Sequence, residues 1–475
     1  MRSRPLIALA GVAATLALGT TTALGTTTAF GTTTALGATT ALGGTTSGQR
    51  AANHAAAASR TTTSTGIPTA SAQPTTAAGT ANRHVAFTDW TSKRDFKHGD
   101  FAGTKVEHDA LEIKHPIGTM SYTDPFGDGS ARQYEYGTWT SPVVHPGFNL
   151  TELVSSWNAK TPGDTWLQME VHGTTDAGTD SKWYVLGRWT EKDTYLHRTS
   201  VDGQGDAVAT VYTDTLATRT GQTLHDWQLR LTMYRPVGSP LTPRVSLVGA
   251  MASALPSAKK VPVSPLGGAE GIALNVPTYS QEIHKGQYPQ WDGGGEAWCS
   301  PTSTSMLLAY WNRGPSAADM SWVDPSYQDP QVDFAARNVF DYTYDGAGNW
   351  PFNAAYAARY HLQTFVTRLR SLTEAEQFIK RGIPLVVSVS FKKGELDGAG
   401  YGTDGHLMVI VGFTDNGDVV VNDPASHLIP DDGQVRTVYN RAQFENTWVP
   451  HSGGIVYVIR PSWVKLPPVG SEANW

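Results

Sequence analysis

One cysteine stands where a thiol is easily activated. Cys299 is the sole cysteine of the 475 residues, and it lies between a glycine-rich loop and a segment, residues 300–311, whose apolar side chains recur at helical spacing. Ser300 is a typical N-cap, and Pro301 suits the first helical position. The N-terminus of a helix favours a thiolate because of the helix dipole and the free N–H groups. We therefore predict a nucleophile at this position; an inert core cysteine is the alternative.

A histidine and a carboxylate are predicted on neighbouring strands of one hairpin. His406 begins an apolar run that ends at Phe413, and a second apolar run ends at Asp423. Residues 416–417, Asn-Gly, are a hairpin turn signal between the two runs. A thiol, a histidine that takes its proton and a carboxylate that orients the histidine can together perform nucleophilic acyl transfer. We therefore predict a catalytic triad of Cys299, His406 and Asp423.

The length of the hairpin loop decides whether His406 can reach Asp423. A four-residue loop places Phe413 opposite Asp418 and puts the two side chains on one face, with roughly 7–8 Å between their backbones. A two-residue turn keeps them on one face but roughly 13 Å apart. A loop of three or five residues reverses the faces and favours Asn422 as the partner. We predict the four-residue loop and Asp423.

Acyl transfer also needs a hydrogen-bond donor for the oxyanion that develops on the substrate. Gln281 is the predicted side-chain donor, and the backbone N–H of Cys299 is expected to assist it. Gln287 and Gln290 lie in the same segment before the cysteine and remain alternative donors.

The pattern of apolar residues divides the chain into five parts. Residues 84–252 contain short runs of period two between turn signals and no long helical run, which favours an all-β sandwich domain of jelly-roll type. Residues 253–270 are rich in proline and glycine and are predicted to be a linker. Residues 271–461 contain helical segments followed by strands, as in an α+β domain. Residues 462–475 form a C-terminal tail, and residues 1–83 precede the first domain.

Residues 1–83 have the composition of an export signal followed by a disordered segment. Arg2 and Arg4 precede an apolar stretch, residues 5–18, that is short for a membrane span. A threonine- and alanine-rich repeat follows, and such a repeat cannot build a packed core. We predict a secreted protein without stable membrane insertion; a retained membrane anchor is the alternative.

Tryptophan is concentrated in the predicted sandwich. Such side chains can form an aromatic platform for sugar rings, so contact with carbohydrate or the cell wall is one interpretation. Core packing is the interpretation that we favour, because several of these residues fall within alternating strands. The seven residues are Trp90, Trp139, Trp157, Trp166, Trp183, Trp189 and Trp227.

Composition excludes several other classes of protein. The net charge of −6 argues against nucleic-acid binding, and one cysteine excludes an internal disulfide framework and a cysteine-based zinc site. We predict no cofactor and no metal. The histidines of the first part show no metal-ligand spacing and are interpreted as surface residues; they are His84, His98, His108, His115 and His145.

Four motifs together resemble those of a known family, the C39-like branch of the papain-fold cysteine peptidases, which is related to the bacteriocin leader peptidases. The motifs are Val-Pro-Thr-Tyr-Ser-Gln at 276–281, Trp-Cys-Ser-Pro at 298–301, Gly-His-Leu-Met-Val-Ile-Val-Gly at 405–412 and Val-Asn-Asp-Pro at 421–424. The family usually has Cys-Gly-Pro and a shorter segment between its glutamine and cysteine. The resemblance implies a papain-like fold, peptide-bond hydrolysis, and catalytic roles for Gln281, Cys299, His406 and Asp423.

The function predicted from the sequence is therefore that of a secreted cysteine peptidase, a hydrolase that acts on a peptide or protein through an acyl-enzyme intermediate. A cell-wall peptide amidase or an acyltransferase with the same triad is an alternative. A non-catalytic binding protein on a peptidase fold is a third interpretation.

Overall fold

The computed structural model describes residues 83–470 and 472–475. The predicted export signal and the threonine-rich repeat lie outside these residues, except for Arg83. The described chain contains three antiparallel sheets and six α-helices.

The first thirteen strands form two antiparallel sheets. One sheet has the strand order β10-β11-β7-β13-β4-β3, with β1 also paired to β13; the other has the order β2-β6-β12-β8-β9, with β5 also paired to β6. A single short helix, α1, lies between β1 and β2. The bounds are β1 His84–Trp90, α1 Lys93–Phe96, β2 Asp100–Ala102, β3 Thr104–Glu107, β4 Ala110–Ile113, β5 Gly118–Thr123, β6 Ala131–Thr140, β7 Glu152–Lys160, β8 Trp166–His172, β9 Tyr184–Trp189, β10 Ala209–Tyr212, β11 Thr215–Thr218, β12 Gln228–Pro236 and β13 Arg244–Ala254.

The two sheets share one core. Alternate residues of β12 (Leu229, Leu231 and Met233) are fully buried, as the period-two pattern predicts. Six of the seven tryptophans of this sandwich are buried, which confirms the prediction that they form the core. Trp183 alone is partly exposed, and the Arg230 guanidinium lies 4.3 Å from the centre of its ring. Of these seven tryptophans, only Trp183 could therefore contribute to an exposed aromatic platform.

The C-terminal part has three helices before a six-stranded antiparallel sheet and two more between its strands. The strand order is β14-β19-β15-β16-β17-β18. This is the predicted α+β arrangement. The bounds are α2 Cys299–Tyr310, α3 Pro330–Val339, α4 Trp350–Ala358, β14 Gln363–Arg368, α5 Leu372–Ile379, β15 Leu385–Phe391, β16 Thr403–Phe413, β17 Val419–Asn422, β18 Arg436–Tyr439, α6 Arg441–Ser452 and β19 Ile455–Arg460.

Helix α2 begins two residues earlier than predicted. Its N-cap is Trp298, and Cys299 is the first helical residue, so the interpretation of Ser300 as the N-cap is wrong. The backbone N–H and the hydroxyl of Thr302 both donate to the carbonyl of Trp298, which starts the helix there. The Ser300 hydroxyl is 3.0 Å from the hydroxyl of Tyr457 on β19. The shift brings the cysteine nearer to the free N–H groups of the helix end.

The sandwich and the C-terminal sheet are joined by buried polar contacts. Asn158 on β7 donates to the Thr364 carbonyl at 2.8 Å and accepts from the Thr364 N–H at 3.1 Å. Arg368 on β14 pairs with Glu152 on β7 at 2.6 Å. Buried groups of this kind are costly to separate, because each would lose its partner. Among the described residues, no helix has the length and apolarity needed to span a bilayer.

Candidate active site

The hairpin that carries His406 and Asp423 has a different register from the predicted one. Phe413 pairs with Val419, not Asp418, so the loop has five residues and the prediction of a four-residue loop is wrong. A five-residue loop by itself would place Asp423 on the opposite face of the hairpin from His406. A bulge between residues 410 and 412 inserts one extra residue and restores the parity.

His406 therefore meets Asp423. The Nε2 atom of His406 lies 2.8 Å from Oδ1 of Asp423, and both residues are buried, with 4% and 0% of their surface exposed. The other carboxylate oxygen accepts from the hydroxyl of Tyr401 at 2.7 Å and of Tyr439 at 2.8 Å. Asn422 lies on the opposite face and donates to the carbonyl of Pro277. Asp423 is thus the carboxylate that contacts the ring.

The charges of this pair shift both pKa values. Burial lowers the pKa of His406, but the charge and hydrogen bond of Asp423, together with a hydrogen bond to Cys299, outweigh it and raise the pKa to about 10. Burial raises the pKa of Asp423, but the charge of His406 and the hydrogen bonds from His406, Tyr401 and Tyr439 outweigh it and hold the pKa below its usual value. The arrangement favours imidazolium beside carboxylate at neutral pH.

Cys299 lies on the other side of the histidine ring. Since Nε2 of His406 is taken by Asp423, the hydrogen bond to the thiol falls to Nδ1. The thiol is partly exposed, as a nucleophile must be. The Ser303 hydroxyl donates to the carbonyl of Leu407 at 3.0 Å and so fixes α2 against β16 beside His406.

Gln281 lies in the same cleft and is 4% exposed. Its Nε2 donates to the carbonyl of Glu296 at 2.6 Å, and its backbone N–H donates to the carbonyl of Pro424 at 2.8 Å. An amide nitrogen has two hydrogens, and a hydrogen bond from the Gln281 side chain also acts on the carboxyl of the adjacent Glu282. Gly295 permits this approach, because a Cβ there would lie 2.5 Å from the Gln281 carbonyl.

The two alternative glutamines lie outside the cleft lining. Oε1 of Gln287 accepts from Nδ1 of buried His284 at 2.8 Å, and Gln290 is exposed. His284 also lies 3.2 Å from the buried carboxylate of Asp333 on α3. The long segment before the cysteine is thus anchored to α3, which leaves Gln281 as the glutamine beside the thiol.

The cleft has a volume of 570 Å³ and an acidic wall. Glu282 lies next to the candidate oxyanion donor and is 7% exposed. Burial, and then the nearby charge of Glu296, raise the pKa of Glu282 to about 7. Asp292 and Asp404 also line the cleft, as do Lys392 and Lys393; the lining further includes Tyr344, Gly348, Trp350, Tyr401 and Leu428.

The sandwich supports one wall of this cleft. Buried Asp214, between β10 and β11, accepts the backbone N–H of Trp350 at 2.8 Å, at the first turn of α4. Ser200 donates its N–H at 2.9 Å to Asp341, whose same oxygen accepts from the N–H of Tyr344. Trp350 and Tyr344 both line the cleft. The first domain thus contributes to the position of residues beside the thiol.

Several of these residues carry no signal in the sequence. Tyr401 lies in a glycine-rich loop and Tyr439 at the end of a short edge strand, so neither pattern points to a carboxylate 16 or more positions away. Asp214 follows a turn and resembles any other turn residue. Glu282 could have been noted, since it adjoins Gln281, but its burial depends on the tertiary structure.

Family models match both parts of the chain. The model described as "Peptidase C39 N-terminal domain" matches residues 86–253. The model described as "Peptidase_C39 like family" matches residues 273–455. The second range includes Gln281, Cys299, His406 and Asp423, and the first covers the sandwich.

Comparisons with individual proteins give less information about this chain than the family models do. No curated protein matches the chain. One solved structure, described as "Structural basis for the promiscuous specificity of the carbohydrate- binding modules from the beta-sandwich super family", is 11% identical, with a TM-score of 0.16, over 33% of this chain and 62% of that one. The chain thus spans less than two thirds of that structure. A likeness this weak carries no argument about ligands, and carbohydrate contact stays a prediction.

Proposed function

Since this chain is a C39-like peptidase family protein, we propose that it is a cysteine peptidase that hydrolyses peptide bonds through a Cys299, His406 and Asp423 triad on a papain-like fold. One observation carries the proposal. In an open cleft, the ring of His406 has its Nε2 on a buried carboxylate and a hydrogen bond to the thiol at the start of α2.

The residues suit each step of acyl transfer. The Cys299 thiolate attacks the scissile carbonyl carbon and forms a C–S bond, while the carbonyl oxygen gains negative charge. The side-chain amide of Gln281 and the N–H of Cys299 stabilise that oxyanion. His406 gives its proton to the leaving amine as the C–N bond breaks, which yields an acyl-enzyme.

Hydrolysis of the acyl-enzyme uses the same groups. Neutral His406 takes a proton from a water molecule as the water attacks the acyl carbon, and then returns a proton to the departing sulfur. Asp423 holds the ring in one orientation and stabilises the imidazolium in both steps. Tyr401 and Tyr439 are positioning residues, because their hydroxyls donate to the second oxygen of Asp423 and so act through that carboxylate.

We also propose that the protein acts outside the cell, on a peptide or protein substrate. The support is the composition of the N-terminal residues, where Arg2 and Arg4 precede an apolar stretch. Mass spectrometry of protein recovered from the culture medium tests this, and recovery with Met1 intact would contradict cleavage of a signal.

Hydrolysis of a peptide library by the purified protein tests the main proposal, with Cys299→Ala as the matched control. We expect turnover and labelling by iodoacetamide in the wild type and neither in the variant. Equal turnover in both would contradict the proposal. Turnover of peptidoglycan peptides without turnover of casein would favour the amidase alternative, and an unreactive thiol with no turnover would favour a binding protein.

A further inference from the structure

Three side chains of the sandwich, none of which lines the cleft, bring ligand atoms together. They are His145, His225 and Asp226. One ring nitrogen of each histidine and one carboxylate oxygen all lie within 4.8 Å of one another. The two rings are nearly parallel, at 14°, with their centres 6.0 Å apart. Within residues 83–470 and 472–475, this is the one group of three or more histidine, cysteine, aspartate or glutamate side chains with such a geometry.

Backbone hydrogen bonds hold these side chains close together. Val144 and Trp227 exchange two such bonds, of 2.9 and 3.1 Å, which makes His145 and Asp226 neighbours across the pair. The backbone N–H of His225 donates to the loop that follows β8. The arrangement is therefore formed by the fold itself.

Hydrogen bonds to the backbone of residues 174–175 fix the orientation of the His225 and Asp226 side chains. Nδ1 of His225 lies 3.2 Å from the carbonyl oxygen of Thr175, which can only accept, so Nδ1 carries a hydrogen. The N–H of Thr174 donates to Oδ1 of Asp226 at 3.0 Å. Nε2 of His225 and Oδ2 of Asp226 are thus directed at each other, 3.1 Å apart.

Nε2 of His225 and Oδ2 of Asp226 need a proton or a metal ion between them at this distance. In a neutral ring with Nδ1 protonated, Nε2 presents a lone pair, and the carboxylate oxygen presents another. Such a contact at 3.1 Å is repulsive unless a proton or a metal ion binds to both atoms. A histidine whose second nitrogen donates to a backbone carbonyl is also the usual form of a metal-ligating histidine.

We propose that His145, His225 and Asp226 bind one divalent transition-metal ion of the zinc class. Zinc bonds to nitrogen and oxygen of about 2.0–2.2 Å in a tetrahedron place the ligand atoms roughly 3.3 Å apart, close to the observed contact. Two imidazoles favour zinc over calcium or magnesium, which take oxygen ligands. His145 is exposed, so the fourth position opens to water.

The ion would join two segments of chain that are remote in sequence. It would hold residues 144–145 and 225–226 together beside the loop at residues 174–175, and thus stabilise this edge of the sandwich by binding the folded state alone. The interpretation of His145 as an isolated surface residue followed from its distance in sequence from the other two ligands.

The test uses the full chain with Cys299→Ala, because the thiol and His406 could themselves bind zinc. After dialysis against EDTA, ZnCl₂ is titrated by calorimetry and its effect on the melting temperature is recorded. We expect one equivalent to bind and to raise the melting temperature. X-ray absorption of the zinc complex should report nitrogen and oxygen ligands only.

Variants at the two histidine ligands separate the proposal from its alternatives. In the same background, His145→Ala and His225→Ala should each weaken zinc binding by about tenfold or more, with folding checked by circular dichroism. His197→Ala is the matched control, because His197 also contacts a carboxylate, at 2.7 Å from Asp124, outside the three-residue group. CaCl₂ should have no effect. Unchanged affinity in both ligand variants, or no binding to the parent, would overturn the proposal and leave a proton as the bridge.

Discussion

The carboxylate of Asp423 contacts one imidazole and two phenols, and it also accepts from the backbone N–H of Ala425. His406 Nε2 lies 2.8 Å from Oδ1, while Tyr401 and Tyr439 both donate to Oδ2. This carboxylate is completely buried, so these contacts replace the water that it would otherwise bind. The histidine ring therefore has one orientation, which directs Nδ1 at the thiol.

Replacing Asp423 with Asn should lower kcat/KM for peptide hydrolysis by about 10²- to 10⁴-fold. The amide cannot stabilise the imidazolium by charge, so the pKa of His406 falls and the imidazolium that protonates the leaving amine is lost at a lower pH. The pH dependence of kcat/KM measures this directly. Asp404→Asn is the matched control, since Asp404 lines the cleft as an exposed residue. An equal loss in both variants would contradict the role of Asp423.

Replacing Tyr439 with Phe should narrow the pH range of activity from the acid side. The hydrogen bond from Tyr439 helps to hold the pKa of Asp423 below its usual value, so its loss raises that pKa. Asp423 is then protonated at a higher pH during acidification, and activity disappears earlier. Tyr401→Phe should act in the same direction. A pH–rate profile of kcat/KM checks both, and an unchanged acid limb in both would contradict the argument.

Replacing Gln281 with Ala should lower kcat by about 10²- to 10³-fold with little change in KM, because its hydrogen bond forms mainly in the transition state. Steady-state kinetics on one peptide measures this split. Gln290→Ala is the control, because that side chain is exposed and should leave both constants unchanged. A rise in KM alone for Gln281→Ala would place it in substrate binding.

Replacing Asp214 with Ala should affect the catalytic cleft from the sandwich. Its carboxylate accepts the N–H of Trp350, so the variant removes a buried hydrogen bond, at a cost of about 1–3 kcal/mol in the free energy of unfolding. Since Trp350 lines the cleft, KM should rise as well. Urea unfolding and steady-state kinetics measure the two effects. Asp202→Ala, an exposed turn residue, should change neither.

Replacing Glu282 with Gln should stabilise the protein above neutral pH. The folded-state pKa of about 7 is above the usual value of 4.5, so the charged form is disfavoured by folding. The contribution of Glu282 to the free energy of unfolding is therefore complete at low pH and is lost as the pH rises from 4.5 through 7. The melting temperatures of variant and wild type should agree best near pH 5 and differ most at pH 8. A constant difference across this range would contradict the prediction.

Local patterns in the sequence determined much of this protein. The period-two runs determined the strands of the sandwich, because alternate side chains of a strand face opposite sides of a sheet. The four motifs around Gln281, Cys299, His406 and Asp423 indicated the family, and the models that match residues 86–253 and 273–455 support it.

Only the tertiary structure decided how those residues meet. The bulge at residue 411 corrected the parity of a five-residue loop, and no residue type there marks it, because a bulge depends on pairing with the neighbouring strand. The hydroxyls on Asp423 and the contact of Asp214 with Trp350 join positions far apart in the chain. Contacts of that range follow from the packing of whole sheets, which a local pattern of residues does not encode.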